Sequence, residues 1–429
     1  MAKTDTNPPR GTRDFFPEDM RLRNWLFAHF REVSRRFGFE EVDAPIVEHA
    51  DLFIRKAGEE IVEQLYHFEL HDRHLALRPE FTPSLARMVQ QRAGSARFPL
   101  RWFSIPQCWR YERMTRGRRR EHYQWNCDIW GEAGPAAEAE LIAALFSALD
   151  AMGLPADAVR MRLNSRALLE ESLRREILAA RPEAFAPLCV IIDKLDKIGP
   201  DAVMDQLCAP DGAVALSRSA AEDCVAMLSA RSLAEVASAA PKDSAALAAL
   251  HQLFELLDAY GLVDRVQFDA SVVRGLAYYT GIVFEAFDST GSLRAIAGGG
   301  RYDRLLETLG GKSLPAAGFG FGDAVITELL RDRGLLPELP HRIDGYVLAL
   351  GASEQIAAAR LAHQLRCDGQ SIELALAPMR VKKALGEADR AGAKTLYVVG
   401  EDELARGVAR ARDLATREER DVPLPPTGS

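Results

Sequence analysis

The sequence predicts an α+β protein. A mostly antiparallel sheet flanked by helices should occupy residues 1–335, with a helical insertion at 165–260 and a separate C-terminal α/β domain at 343–425. Three observations carry this reading. Residues 98–131 read as two antiparallel strands around a turn rich in arginine and glycine. Residues 160–262 are rich in Ala and Leu at helical spacing, with breaks at Pro182, Gly199, Pro210 and Pro241. Strand-like sequence resumes at Val266, so this helical segment is set inside something else. Beyond Leu335–Pro340, a linker by its prolines, the hydrophobic period alternates between strand and helix.

Taken in order, the first element is a helix opening at Phe16-Pro17-Glu18-Asp19. Proline suits the first turn, and the two acids face the positive helix end. Leu22, Trp25, Leu26, Phe30, Val33 and Phe37 recur at three- and four-residue spacing until Gly38 ends the run. Phe39–Ala44 can extend into Pro45. After the helical segment, a strand is expected over Tyr279–Phe287, a turn at Gly298-Gly299-Gly300, and a glycine-alternating run at Gly318–Gly322. In the last domain Tyr346–Leu350, Ile372–Leu376 and Leu396–Val399 read as strands. Glu354–Leu365 and Val381–Ala391 between them read as helices, which implies a largely parallel sheet.

Bulk properties narrow the class. A chain of 429 residues suits two or three domains, and 48% hydrophobic with 27% charged residues is a soluble globular balance. No run of eighteen apolar residues exists, so no membrane helix is expected. Met1–Pro9 is polar, without a signal-peptide or transit-peptide pattern, and a cytoplasmic location is expected. The cysteines are scattered without a C-x-x-C pair, suggesting neither zinc nor disulfides. His67, His71 and His74 are close in sequence, and His67 and His71 could share a helix face. We read them as solvated, and no metal site is expected. A formal charge of −8 argues against indiscriminate coating of nucleic acid but permits a local basic site.

The chemistry concentrates between Trp109 and Asp128. On the second strand His122, Gln124, Asn126 and Asp128 share one face, opposite Tyr123, Trp125, Cys127 and Ile129. On the first, Arg110 and Glu112 oppose Trp109 and Tyr111. The aromatic side reads as core, and the other collects charge and hydrogen-bonding groups. In the connecting turn Arg113, Arg116, Arg118, Arg119 and Arg120 crowd together, a cluster that an anionic partner would stabilise.

This stretch resembles the second signature motif of class II aminoacyl-tRNA synthetases, in the histidyl form. The resemblance extends to Arg10–Asp14, to Gly38–Pro45 as the first motif, and to Leu77-Arg78-Pro79-Glu80-Phe81-Thr82. It also takes in Arg274–Gly281 and Gly299–Asp303, which are similar to the two histidine-specific signatures. It implies that the 343–425 domain binds the anticodon, that the chain is a homodimer, and that histidine, ATP with Mg2+ and tRNA(His) are its partners. Arg110 and Arg274 would be the catalytic cations about the α-phosphate. Glu80, Thr82 and Gln124 would bind the α-amino group, and Asp128, Tyr278, Tyr279 and Tyr302 the imidazole. Glu112, Arg118, Arg120 and His122 would join Arg110 around ATP.

Three positions depart from the family pattern. Ala324 stands where the third motif ends in an ATP-binding arginine, His122 where an adenine-stacking phenylalanine is usual, and Ala277 where the histidine signature has aspartate. The missing cation is expected from Arg118, Arg120 or Arg301. The same departures give a second reading, a histidine-binding regulatory subunit of ATP phosphoribosyltransferase.

Overall fold

The computed structural model describes residues 4–54, 63–176, 182–192, 198–237, 241, 243–274, 276 and 278–426. The helix Pro17–Arg36 carries Glu18 and Asp19 in its first turn and Arg35 and Arg36 in its last, matching both ends of its dipole. It buries Leu26, Phe27, Phe30 and Val33.

The strands of the larger unit run β1 (Glu40–Glu41), β2 (Val47–His49), β3 (His67–Leu70), β4 (Arg73–Leu77), β5 (Leu100–Ser104), β6 (Gln107–Trp109), β7 (Glu121–Trp130), β8 (Val159–Ser165), β9 (Val266–Phe268), β10 (Ile282–Asp288), β11 (Ala297–Arg301) and β12 (Ala316–Gly322). The main sheet has the order β1-β5-β7-β12-β11-β10-β8-β9, with β6 also on β7. Only the outer pairs β1–β5 and β8–β9 are parallel. Its apolar face packs on the helices Pro17–Arg36, Ala136–Ala151 and Ala245–Ala259, around Phe30, Trp125, Phe146, Leu250 and Phe284.

The helical segment is divided in its packing. Leu188, Val203, Leu207, Ala221 and Cys224 form a core of their own, whereas Leu250, Leu253 and Leu257 belong to the main core. Helices thus begin at Arg166, later than the expected residue 160, because Val159–Ser165 is a strand. Val159, Met161 and Leu163 are buried and alternate with Arg160 and Arg162, a period of two masked by the leucine-rich sequence that follows.

Other expectations need correction. Gly298–Gly300 lie within β11 and form no turn. A Cβ on Gly299 would meet Phe284 at 2.7 Å and Phe319 at 2.8 Å, so glycine is there for close approach. The strand expected from Tyr279 begins at Ile282. His67 and His71 share no helix: residues 67–77 form a hairpin whose turn holds His71 and Asp72 at positive φ, and His67 Nδ1 lies 3.0 Å from His74 Nε2.

The second unit contains the strands β13 (Ile343–Ala349), β14 (Ile372–Leu374), β15 (Ala393–Val399), β16 (Val408–Asp413) and β17 (Glu419–Pro423), in the order β14-β13-β15-β16-β17. The first three are parallel as expected; β16 and β17 add an antiparallel edge. Helices Gln355–Cys367 and Val381–Arg390 contribute Leu361 and Ala384 to two separate apolar clusters on this sheet.

Candidate active site

The β6–β7 hairpin pairs Gln107 with Tyr123, Cys108 with His122 and Trp109 with Glu121. The strand ends there, so Arg110 and Glu112 are not on a strand face as expected. The Arg110 N–H still donates to Arg120 O at 2.8 Å, but the Tyr111 N–H turns to Gln64 O. Tyr111 consequently lies 54% exposed, outside the core face assigned to it, with the Arg120 guanidinium 3.6 Å from its ring centre. Trp125, Cys127 and Ile129 are buried, as the alternation requires. The turn's charges also find partners within the chain: Arg116 donates to Glu328 and Asp332, and Arg118 holds Glu112 in a bidentate pair. An external anion is therefore not needed to relieve all of the turn's repulsion.

The pocket is built where β7, β12 and β11 lie side by side. Asp128 faces Gly318 in the register, and the Tyr302 hydroxyl, from just beyond β11, donates to Asp128 Oδ1. Any side chain at Gly318 would collide with both groups. Asp128 Oδ2 is buried with no hydrogen-bond partner among the described residues. Burial pushes the Asp128 carboxyl up to about 7, against the Tyr302 bond, and the nearby Glu80 charge adds to the rise. Gln124 lies over Gly320 in the same manner, since a Cβ there would strike its amide.

The facing wall comes from the Leu77–Thr82 segment. Buried Arg78 fixes it by donating to Gln107 O at 2.9 Å, Ala44 O at 2.7 Å and Asp43 Oδ1 at 3.0 Å. Glu80 is buried and accepts from the Tyr278 hydroxyl at 2.8 Å. Burial raises the Glu80 pKa, while Arg110, the Tyr278 bond and Arg274 pull it back. Thr82 is buried at the start of the Thr82–Arg92 helix. Tyr278, Tyr279 and Tyr302 form a cage, with ring centres 5.1 to 6.2 Å apart.

Two arginines flank this cage. Arg110 Nε donates to Pro79 O at 2.9 Å. Arg274 has φ 59, an uncommon value for a side chain with a Cβ, and pairs with Glu285 on β10. Its guanidinium lies over Gly298, where a Cβ would meet three of its atoms at 2.5 to 2.8 Å. Strain at such a residue marks functional positions often enough to point here. Glu285 was missed in the sequence, although it is the lone acid within the apolar run Ile282–Phe287. Gly275 and Ala277 lie outside the described residues.

His122 is partly buried; desolvation and then Arg110 lower its pKa to about 3, so it is neutral. Arg13 donates to Asp323 at 3.0 Å, and Asp323 in turn accepts the Tyr123 N–H at 3.0 Å, tying the Arg10–Asp14 segment to this edge. Arg301 is not available to phosphate as expected. It is buried, bidentate with Glu138 at 2.7 and 2.6 Å, and bonded to Asp303 and two backbone carbonyls. Its role is to hold the β11 end against the Ala136–Ala151 helix. Arg294, also missed in the sequence, faces Arg118, Glu112, Arg110 and Glu285 electrostatically.

The geometry gathers two buried acids, three tyrosines and two arginines into one pocket. Comparison with known proteins agrees. The family model described as histidyl-tRNA synthetase matches residues 11–322, and that of an anticodon-binding domain matches residues 345–425. The chain belongs to the histidyl-tRNA synthetase family. Family members are aminoacyl-tRNA synthetases, and this chain is an enzyme of that kind. A histidine–tRNA ligase of Arabidopsis thaliana, named chloroplastic/mitochondrial, is 51% identical over 98% of this chain and 86% of that protein. The Opitutus terrae histidine–tRNA ligase is 40% identical over 96% and 95% respectively. The crystal structure of the Nostoc sp. histidyl-tRNA synthetase shares the fold, with a TM-score of 0.76 at 22% identity, covering 98% of this chain and 97% of that one. The regulatory reading is the less supported one, since these curated relatives are ligases.

Proposed function

We propose that this synthetase-family enzyme binds histidine between Glu80 and Asp128 and activates it on ATP held by Arg110 and Arg274. The observation that carries the reading is the buried Asp128 Oδ2, without a partner among the described residues, inside a tyrosine cage that also contains Glu80. A ligand with a donor at each end and a carboxylate between suits such a site. The imidazole N–H would donate to Asp128. The ammonium would meet Glu80, with Thr82 and Gln124 as neutral acceptors. An apolar side chain of similar size would leave Asp128 unpaired, which costs about 1–3 kcal/mol or more.

The carboxylate oxygen of histidine then attacks the α-phosphorus of ATP, and pyrophosphate leaves with the electrons of the broken phosphoanhydride bond. Negative charge builds on the phosphoryl oxygens, and Arg110 and Arg274 stabilise it from opposite sides. In the second step a ribose hydroxyl of the transfer RNA attacks the carbonyl carbon and AMP leaves. Magnesium accompanies ATP, neutralising charge on its phosphates.

Residues 343–425 read as the anticodon-binding domain, and residues 1–335 as the catalytic domain, with the helical insertion at 165–260 inside it. A homodimer is also part of the proposal, supported by the exposed Ile46 and Val47 directly after the Gly38–Pro45 segment. No described helix is long and apolar enough to cross a membrane. A cytoplasmic location is part of the proposal, and cell fractionation tests it. Histidine-dependent exchange of labelled pyrophosphate into ATP tests the whole reading. A protein that binds histidine without exchange at saturating ATP and Mg2+ would be the regulatory subunit instead.

A further inference from the structure

The ladder between β11 and β12 continues past the named strands. Ala297 faces Phe321, and the Gly322 N–H donates to Ile296 O at 3.4 Å. The Ile296 N–H donates in turn to Ala286 O at 2.8 Å. The ladder ends there: Arg294 lies two residues before Ile296 in the loop, and Ala324 two residues after Gly322, as the second residue of the Asp323–Asp332 helix.

Charge gives a second, independent observation. Arg294 shares its surroundings with Arg118, Arg110, Glu112 and Glu285. Both of those carboxylates are already engaged: Glu112 by Arg118, with Arg110 4.0 Å away, and Glu285 by Arg274. Among the described residues Arg294 has no hydrogen bond or ion pair. The residue as a whole is exposed, yet desolvation of its guanidinium and then the Arg118 charge hold its pKa below the usual arginine value. His122 also feels the Arg294 charge. Positive charges brought together with their neighbouring acids spent elsewhere favour an anion from outside the chain.

We propose that Arg294 binds the outer phosphates of ATP, supplying from the β10–β11 loop the cation that Ala324 does not. The inference rests on the ATP reading of the pocket and deepens it. A guanidinium in this loop can fork onto phosphate oxygens, and a cation supplied from there would let a site with Ala324 still hold a triphosphate. Arg118 and Arg120 are less suited to this task, being held by Glu112 and by Tyr111 with two backbone carbonyls.

The test uses the full-length enzyme. In ATP–pyrophosphate exchange, Arg294→Ala should raise the ATP KM at least about tenfold while the histidine KM stays within about twofold. Arg294→Lys should fall between. Ala324→Arg placed in the Arg294→Ala background should recover most of the loss, which a merely structural role for Arg294 would not allow. Calorimetry provides a readout without turnover: Arg294→Ala should weaken ATP about tenfold and AMP less than twofold. Unchanged ATP affinity in the variant, or equal weakening of ATP and AMP, overturns the inference. If the wild type binds ATP through Arg294 yet exchanges no pyrophosphate, the catalytic reading fails and this one stands. If the wild type does not bind ATP, both fail.

Discussion

The Tyr278 hydroxyl donates to Glu80 Oε2 at 2.8 Å, joining residues 198 positions apart in sequence. With Arg110 and Arg274, the bond holds the Glu80 pKa below where burial alone would take it. Tyr278→Phe should therefore leave Glu80 more often protonated and raise the histidine KM several-fold. Glu80→Gln, which removes the charge outright, should raise it more. Steady-state exchange at varied histidine checks the order; equal KM values in Tyr278→Phe and wild type would detach Glu80 from the ammonium.

Asp128 should govern both affinity and pH dependence. Asp128→Ala is expected to raise the histidine KM about 10- to 100-fold, the scale of a hydrogen bond to a charged group at roughly 1.5–3 kcal/mol, with the ATP KM within a few-fold. Because its carboxyl is raised to about 7, it gains a proton as pH falls through that value and stops being a pure acceptor. Free histidine protonates its ring at about 6.5. The acid limb of kcat/KM for histidine should thus have a two-proton slope in the wild type and a one-proton slope in Asp128→Asn. The same slope in both proteins would remove Asp128 from the imidazole.

Arg274→Ala should lower kcat for adenylate formation more than it weakens either substrate, by roughly 3 kcal/mol or about a hundredfold. Charge on the α-phosphate is greatest in the transition state, so a cation placed there acts mostly on rate. The variant also frees Glu285, so Arg274→Ala with Glu285→Gln separates the lost cation from the exposed acid. A pure KM effect in the double variant would make Arg274 a binding residue only.

Gly318→Ala tests the packing of the pocket floor. Its methyl would collide with the Asp128 carboxylate and the Tyr302 hydroxyl, and overpacking of this kind costs about 1–3 kcal/mol. Thermal unfolding should show a lowered Tm, and the histidine KM should rise more than the ATP KM. Substitution without effect on histidine would mean that Asp128 and Tyr302 do not line its site.

A chain ending at Pro340 should keep pyrophosphate exchange and lose most transfer RNA charging. The second unit has apolar clusters of its own around Val347, Leu361 and Leu396, so the first does not need it for a core. Full charging by the shortened chain would refute the anticodon assignment.

Much of this protein could be read in one dimension. Period-two alternation placed Trp125, Cys127 and Ile129 inside and Gln124 and Asp128 toward the pocket, because a strand's faces follow from its dihedral angles alone. Helix starts, the linker prolines and the change of period after residue 340 were legible for the same local reason. What the tertiary structure decided were pairings between distant segments. Sequence showed Arg301 as one more cation near ATP; only folding brought it against Glu138 and removed it from the site. Tyr111 left the core face because its N–H found Gln64 O beyond the hairpin. Arg294 carried no local signal, and came near Arg118 and Arg110 only when folding brought the β10–β11 loop to the Arg110–Arg118 segment. Local conformation depends on neighbours in the chain, but charge and hydrogen bonding act through space and are settled by whichever groups packing brings together.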